Sequence, residues 1–364
     1  MYMLSLPTVS EIKEYFPYHR KCVVKNFLLV CQCILITGSC NMNKCKAAGS
    51  QALDMKEGLN LDTFYTRLIR FFGIKCADLF CLSVVHLILS IFSTQGVFYL
   101  AIDRTNWKIG NQNINLLFLG LILPSHHYIP IWWFLLDKRG NSNQKERKQL
   151  LAKVILISGW SSDNRFCLLA DREFIGEDWL LNLAEEDLDF VIAIRDNMYL
   201  NLLSEQLEWP KERVERWMKR KVGKYGSATI PLKIGNQSFN YIVAPNRERN
   251  ATYPFKKWIS TLVIPTEVQE AYELRWKIEV FFKDIKSNGF GLEEMNFIKE
   301  EKIAILVACV GFLFALSVKK GEIEYLKKVP TQNKIKQEQS SGWRNQYLKK
   351  AEKKCKIKYG HYNG

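Results

Sequence analysis

Two stretches of this chain run without interruption through apolar residues and stop on an aspartate. The first is Gly96-Val-Phe-Tyr-Leu-Ala-Ile-Asp103 and the second Phe166-Cys-Leu-Leu-Ala-Asp171. An unbroken apolar run of this kind suits a central strand covered on both faces, so each predicts a buried strand that delivers a carboxylate at its end. Residues 113–123, rich in Leu and Ile, and 128–136, rich in aromatics, predict two more strands. Residues 143–156 predict a helix opened by Ser142 or Asn143, with Glu146 near the third helical position. A helix over 177–186 and a strand over 190–194 complete a β-β-β-α-β-α-β order. The expected fold class is therefore α/β, a mixed five-stranded sheet with flanking helices.

Residues 1–95 read as helical. Residues 41–53, a break around Glu57 and Gly58, and residues 62–72 form a helix-turn-helix pattern from which Arg67 and Arg70 project. A generic helical hairpin fits the same pattern. At residues 197–265 a basic helix (211–221) precedes short strands at 229–234, 239–243 and 258–263, which predicts a β-rich insertion. A long helix over 267–286, an apolar helix over 303–318 and a Lys-rich tail from 319 to 364 follow. The implied domains are 1–95, 96–318 with the insertion inside it, and a basic tail.

With 364 residues, 48% of them hydrophobic, the chain is long enough to bury a sizeable core. Its formal net charge of +15 calls for a polyanionic partner, nucleic acid or an anionic membrane. The apolar runs at 26–36, 79–92 and 303–318 are all shorter than the roughly 20 residues that span a bilayer, so buried helices and no membrane partner are expected. Residues 1–20 hold Glu11, Lys13 and Glu14 and no continuous apolar segment, which points to a cytoplasmic protein. The ten cysteines lack the paired spacing of a zinc site and read as reduced, buried thiols.

On a helix, Tyr272, Arg275, Glu279 and Lys286 fall within an arc of roughly 60°, with Leu274, Ile278, Phe281 and Ile285 opposite them. A surface helix with an Arg275–Glu279 pair accounts for that face taken alone. Two strand-end aspartates alter the balance, because Asp103, Asp171 and Glu279 together supply hard oxygen donors of the kind that hold Mg²⁺ or Mn²⁺. Arg104, Arg172, Arg275 and Lys286 flank them with phosphate-binding charge.

The segment from Tyr272 to Lys286 reproduces a Tyr-x2-Arg-x3-Glu-x6-Lys signature, and in it the chain resembles transposases of bacterial insertion sequences. The stretches Asp103-Arg-Thr-Asn-Trp107 and Asp171-Arg-Glu-Phe174, and the loop 136–143, are similar as well, and the likeness spans about residues 41–318. It implies an RNase H-like catalytic domain, with the β-rich insertion placed before the catalytic Glu helix. It implies Asp103, Asp171 and Glu279 as ligands of two Mg²⁺ or Mn²⁺ ions, and Tyr272, Arg275 and Lys286 as contacts to double-stranded DNA. The activity expected of the family is cleavage at terminal inverted repeats and strand transfer into target DNA, by a homodimer in the DNA complex. Members also stabilise a flipped base with a tryptophan, for which Trp258 is a weak candidate here. A nuclease of the same fold without strand transfer, a decayed DNA-binding remnant and a membrane protein are the alternatives.

Overall fold

The computed structural model describes residues 4–54, 60–92, 98–158, 166–195, 197–246 and 254–328. The chain passes through α1 (Val9–Ile12), α2 (Lys21–Thr37), α3 (Met42–Ala47), α4 (Gly49–Ala52), α5 (Leu61–Phe71) and α6 (Ala77–Ile91) before entering the sheet. Next come β1 (Phe98–Ile109), β2 (Gln112–Ile122), β3 (Tyr128–Leu135), α7 (Gln144–Ser158), β4 (Phe166–Ala170), α8 (Glu177–Glu185) and β5 (Asp189–Ala193). The expected β-β-β-α-β-α-β order is present. Asn143 opens α7 as anticipated: its side chain accepts from the Glu146 N–H while its own N–H donates to the Glu146 carboxylate.

The insertion comprises α9 (Leu200–Gln206), α10 (Lys211–Tyr225), β6 (Ala228–Ile234), β7 (Gln237–Pro245) and β8 (Phe255–Ser260). Its strands do not stand apart as a subdomain. They continue the main sheet, which has eight strands in the order β3-β2-β1-β4-β5-β8-β7-β6 instead of the expected five. The reason is the edge that β5 would otherwise expose: β8 pairs antiparallel with it, Ile192 facing Ile259, and satisfies backbone groups that would be left open. At the far end of the sheet, edge strand β6 carries Pro231, and the Gln206 side chain bonds both the N–H and the carbonyl of Lys233. The parallel centre (β1, β4, β5) and antiparallel flanks are consistent with an RNase H-like fold.

Strand register divides the structure into two layers. Asp103 faces Phe118 across β1 and β2, and Ala193, Trp258 and Ile242 align across β5, β8 and β7 on that same side. This side is covered by α11 (Pro265–Leu274), α12 (Trp276–Lys283) and α13 (Glu300–Lys328), with Phe118 against Phe281 and Phe282, and Phe281 against Phe314. The other side takes α7, α8 and α10.

Helix α13 is apolar around its circumference for most of its length, the pattern of a helix enclosed on all sides. Residues 300–325 are long and apolar enough to cross a membrane, longer than the 303–318 run suggested, yet the most apolar part of that stretch is mostly buried inside the protein. The sheet layer covers one side of α13. Helices α2 and α6 cover another, through contacts such as Phe27 on Phe312, so the N-terminal helices share one core with the sheet layer. The 267–286 helix is not continuous either. It tightens at Arg275, where N–H groups bond carbonyls three residues back, and widens to a π-type turn over Asp284–Asn288. The expected break at Glu57 and Gly58 and the tail beyond 328 lie outside the described residues.

Gly120 sits where the β2–β3 register shifts. A Cβ there would stand 2.2 Å from the Ile129 carbonyl oxygen and 2.7 Å from the Tyr128 ring. Since backbone cannot give way cheaply, Gly120→Ala is expected to destabilise the protein by about 1–3 kcal/mol. The urea midpoint measures it, and an unchanged midpoint contradicts the packing.

Candidate active site

Strand β1 carries Asp103 within it, and β4 ends one residue before Asp171. The parallel pairing of Ile102 with Ala170 places the two aspartates side by side at the same level of the sheet. Glu279 comes from α12, lying on that face. The Arg275 guanidinium joins them: Nη1 donates to Asp103 Oδ2 at 3.3 Å and Nη2 to Glu279 Oε1 at 2.6 Å. One helical turn earlier, the Tyr272 hydroxyl donates to Asp171 Oδ1 at 3.3 Å. Three acids drawn from distant parts of the chain thus meet through two side chains of one helical segment.

The electrostatics follow from burial. Loss of water pushes the Asp103 carboxyl up to about 7, against the pull of the Arg104 N–H and the Arg275 guanidinium. Burial also works against the Arg275 charge, but Tyr272 together with Asp103, Asp171 and Glu279 outweighs it and raises the pKa above the ordinary arginine value. The three acids therefore sit in a desolvated setting, and the cavity beside Asp171 is lined by the cations Arg172, Arg195, Lys256, Lys257 and Arg275.

Behind the acids, the two aspartate motifs clasp each other. Arg104 Nε contacts Glu173 Oε1 at 2.9 Å, and Nη2 donates to Asn141 at 2.9 Å, so a residue expected to meet DNA ties strand β1 to the loops after β3 and β4. Arg147, which sequence reasoning passed over, is buried in α7. It donates to the carbonyls of Ser142, Glu173 and Ile175 and stacks its guanidinium on Phe174, fixing the turn that follows Asp171. An arginine at a core-facing position of a helix was the available signal.

Lys286 pairs with Glu293 at 2.8 Å, donates to the Asn106 carbonyl and lies over the Trp107 ring. Arg172 is exposed and lines a cavity of about 640 Å³ together with Asp171, Arg195, Tyr272 and Trp276. Trp258 also borders this cavity but is 2% exposed and set edge-on to Tyr272, the position of a core aromatic. Trp276, 59% exposed and not singled out from sequence, is the ring available there. Arg67 and Arg70 lie on α5, far along the chain from the acids, where Arg67 donates to Asn26 at 2.8 Å. They line a second, polar cavity with Thr63 and Thr66.

Three carboxylates offer hard oxygen donors of the kind that suit a divalent cation. With Arg275 between Asp103 and Glu279, no group of three or more His, Cys, Asp or Glu among the described residues is arranged to hold one. The cysteines form no such group either: seven of the nine described are buried, all nine are free, and burial raises the thiols of Cys40, Cys81, Cys167 and Cys309.

No curated protein matches the chain. A family described as the transposase DDE domain does match, over residues 100–318, a span that covers more than half of the chain and contains all three acids. The strand-borne aspartates, the helix-borne glutamate and this match agree, and the chain belongs to the DDE transposase family.

Proposed function

We propose that this transposase cuts DNA at the ends of a mobile element and joins the exposed strands to target DNA, with Asp103, Asp171 and Glu279 as the carboxylates that hold two Mg²⁺ or Mn²⁺ ions. The observation that carries the reading is the convergence of the three acids through Arg275 and Tyr272. Divalent ions bound there would lower the pKa of an attacking water or 3′-hydroxyl and stabilise the leaving oxygen. Among the described residues Asp171 Oδ2 and Glu279 Oε2 form no hydrogen bond, which leaves one oxygen of each acid without a protein partner. Arg275 keeps mutually repelling carboxylates together in the DNA-free protein, and with Tyr272 and Lys286 it borders the path of the element-end backbone. Arg172 adds an exposed cation beside Asp171, and Trp276 offers an exposed ring to a displaced base. The clasp made by Arg104 holds this arrangement while DNA is bound.

Recognition of the terminal repeats is assigned to residues 1–95, through the face of α5 that presents Thr63, Thr66, Arg67 and Arg70. Such hydroxyl and guanidinium groups suit contacts to base edges and phosphates. The acting form would be a homodimer on DNA, in the bacterial cytoplasm.

Two experiments test the assignment. Asp103→Asn, Asp171→Asn and Glu279→Gln are each expected to lower Mg²⁺-dependent cleavage of a duplex bearing the gene's flanking repeats by roughly 10³-fold or more, with binding retained. Cleavage near normal in all three would remove them from catalysis, and cleavage without joining would favour a nuclease. Separately, Arg172→Ala and Lys286→Ala should each flatten the slope of log affinity against log salt by about 0.9, one phosphate apiece. Arg275→Ala, which releases two acids from each other, should impair cleavage more than affinity. Unchanged slopes in both Arg172 and Lys286 variants would take them off the DNA path.

A further inference from the structure

Helix α10 presents a surface that the catalytic site does not use. Val214, Met218 and Val222 form its buried stripe against β6 and β7. Directly opposite run Arg213, Arg216, Arg220 and Lys224, all exposed and spaced three or four residues apart. At 1.5 Å of rise per residue they make a ridge about 16 Å long. Glu212 and Glu215 lie to one side of it.

Three observations argue against an ordinary solvated face. No ion pair among the described residues joins any of the four to a carboxylate. Like charges three and four residues apart on a helix repel, so the ridge disfavours the helix it sits on. Attraction to the helix dipole explains a cation in the last turn, such as Lys224, but not Arg213 near the start, where the dipole opposes it. The aromatic neighbours add order: Arg213 lies 4.3 Å from the Trp209 ring centre, Lys224 lies 5.0 Å from that of Tyr225, and Trp209 meets Trp217 edge-on. Cations held at a regular spacing, alike in sign and without a carboxylate partner, match the repeating phosphates of a nucleic acid backbone.

We propose that the α10 ridge is a second DNA-binding surface, which grips the phosphate backbone of duplex DNA without regard to sequence. The proposal rests on the reading of the chain as a DNA-acting transposase. Strand register places the catalytic acids and α10 on opposite faces of the sheet, so one straight stretch of duplex does not reach both. The ridge therefore holds either a distant part of the same DNA or a separate molecule.

The test uses the full chain with Arg213, Arg216, Arg220 and Lys224 all changed to Gln, and a random-sequence duplex of about 30 base pairs titrated at several salt concentrations. The variant should melt no lower than the wild type and lower the slope of log affinity against log salt by about 2 to 3, at about 0.9 for each phosphate no longer neutralised. Changing the three arginines to Lys should keep most of the slope, since point charges still meet phosphates. A slope unchanged in the Gln variant, with the wild type binding DNA, would overturn the ridge alone. If instead the wild type fails to bind duplex at low salt, the ridge and the transposase reading both fall. Loss of binding to phosphatidylserine vesicles with DNA affinity intact would assign the ridge to a lipid surface and also overturn the proposal.

Discussion

The N-terminal helices and the sheet layer are held together by the need to enclose α13. A helix apolar on all sides has no face to offer water, so it must be covered from every direction, at roughly 25 cal/mol for each Å² of apolar surface removed. The sheet layer and α12 meet it on one side and α2 and α6 on another, and this shared burial fuses the N-terminal helices with the catalytic layer into one core. Because Phe281 is wedged between Phe118 and Phe314, the helix that carries Glu279 is located by the same packing. The position of the third acid is thus a product of core formation.

The site itself inverts the usual relation between a buried charge and its partner. Asp103 is desolvated beyond what Arg275 compensates, and Arg275 is shared between two acids. A buried ion pair of this sort contributes little net stability, since desolvation offsets much of the attraction. What it contributes is position: carboxylates that would repel one another are kept within reach of one cleft. Arg104 and Arg147 do the same for the loops behind them, one binding a side chain across motifs and the other gathering carbonyls.

The parts legible in the sequence were those decided by neighbours in the chain. The apolar strand leading to Asp171, the Asn143–Glu146 cap and the stripe of Ile278, Phe281 and Ile285 all follow from local periodicity or pairing and are present, whereas the strand expected to end at Asp103 runs on to Ile109 because its pairing with β2 continues past the acid. Long-range choices were hidden. Whether β8 would pair with β5 depends on an edge created by β5's own placement, which no local pattern encodes. The tightening at Arg275 and the widened turn at Asp284–Asn288 arise from the segment's fit to the sheet, not from helix propensity. Arg104 read as a DNA contact because its partner, Glu173, is sixty-nine residues away. The long apolar run near the C-terminus looked shorter than the helix it belongs to because charged residues at both ends disguise continuing helical geometry.

The outer edge of the sheet has a consequence for how copies of the protein behave when crowded. Open strand edges act as templates on which further strands from other molecules can assemble into fibrils. At β6 that growth point is blocked twice: Pro231 has no amide hydrogen to offer, and the Gln206 amide occupies both backbone groups of Lys233 as an incoming strand would. An eight-stranded sheet would otherwise be a hazard during synthesis. Here it ends in a surface that cannot recruit a ninth strand at those positions, which leaves assembly of this chain to surfaces other than strand addition at β6.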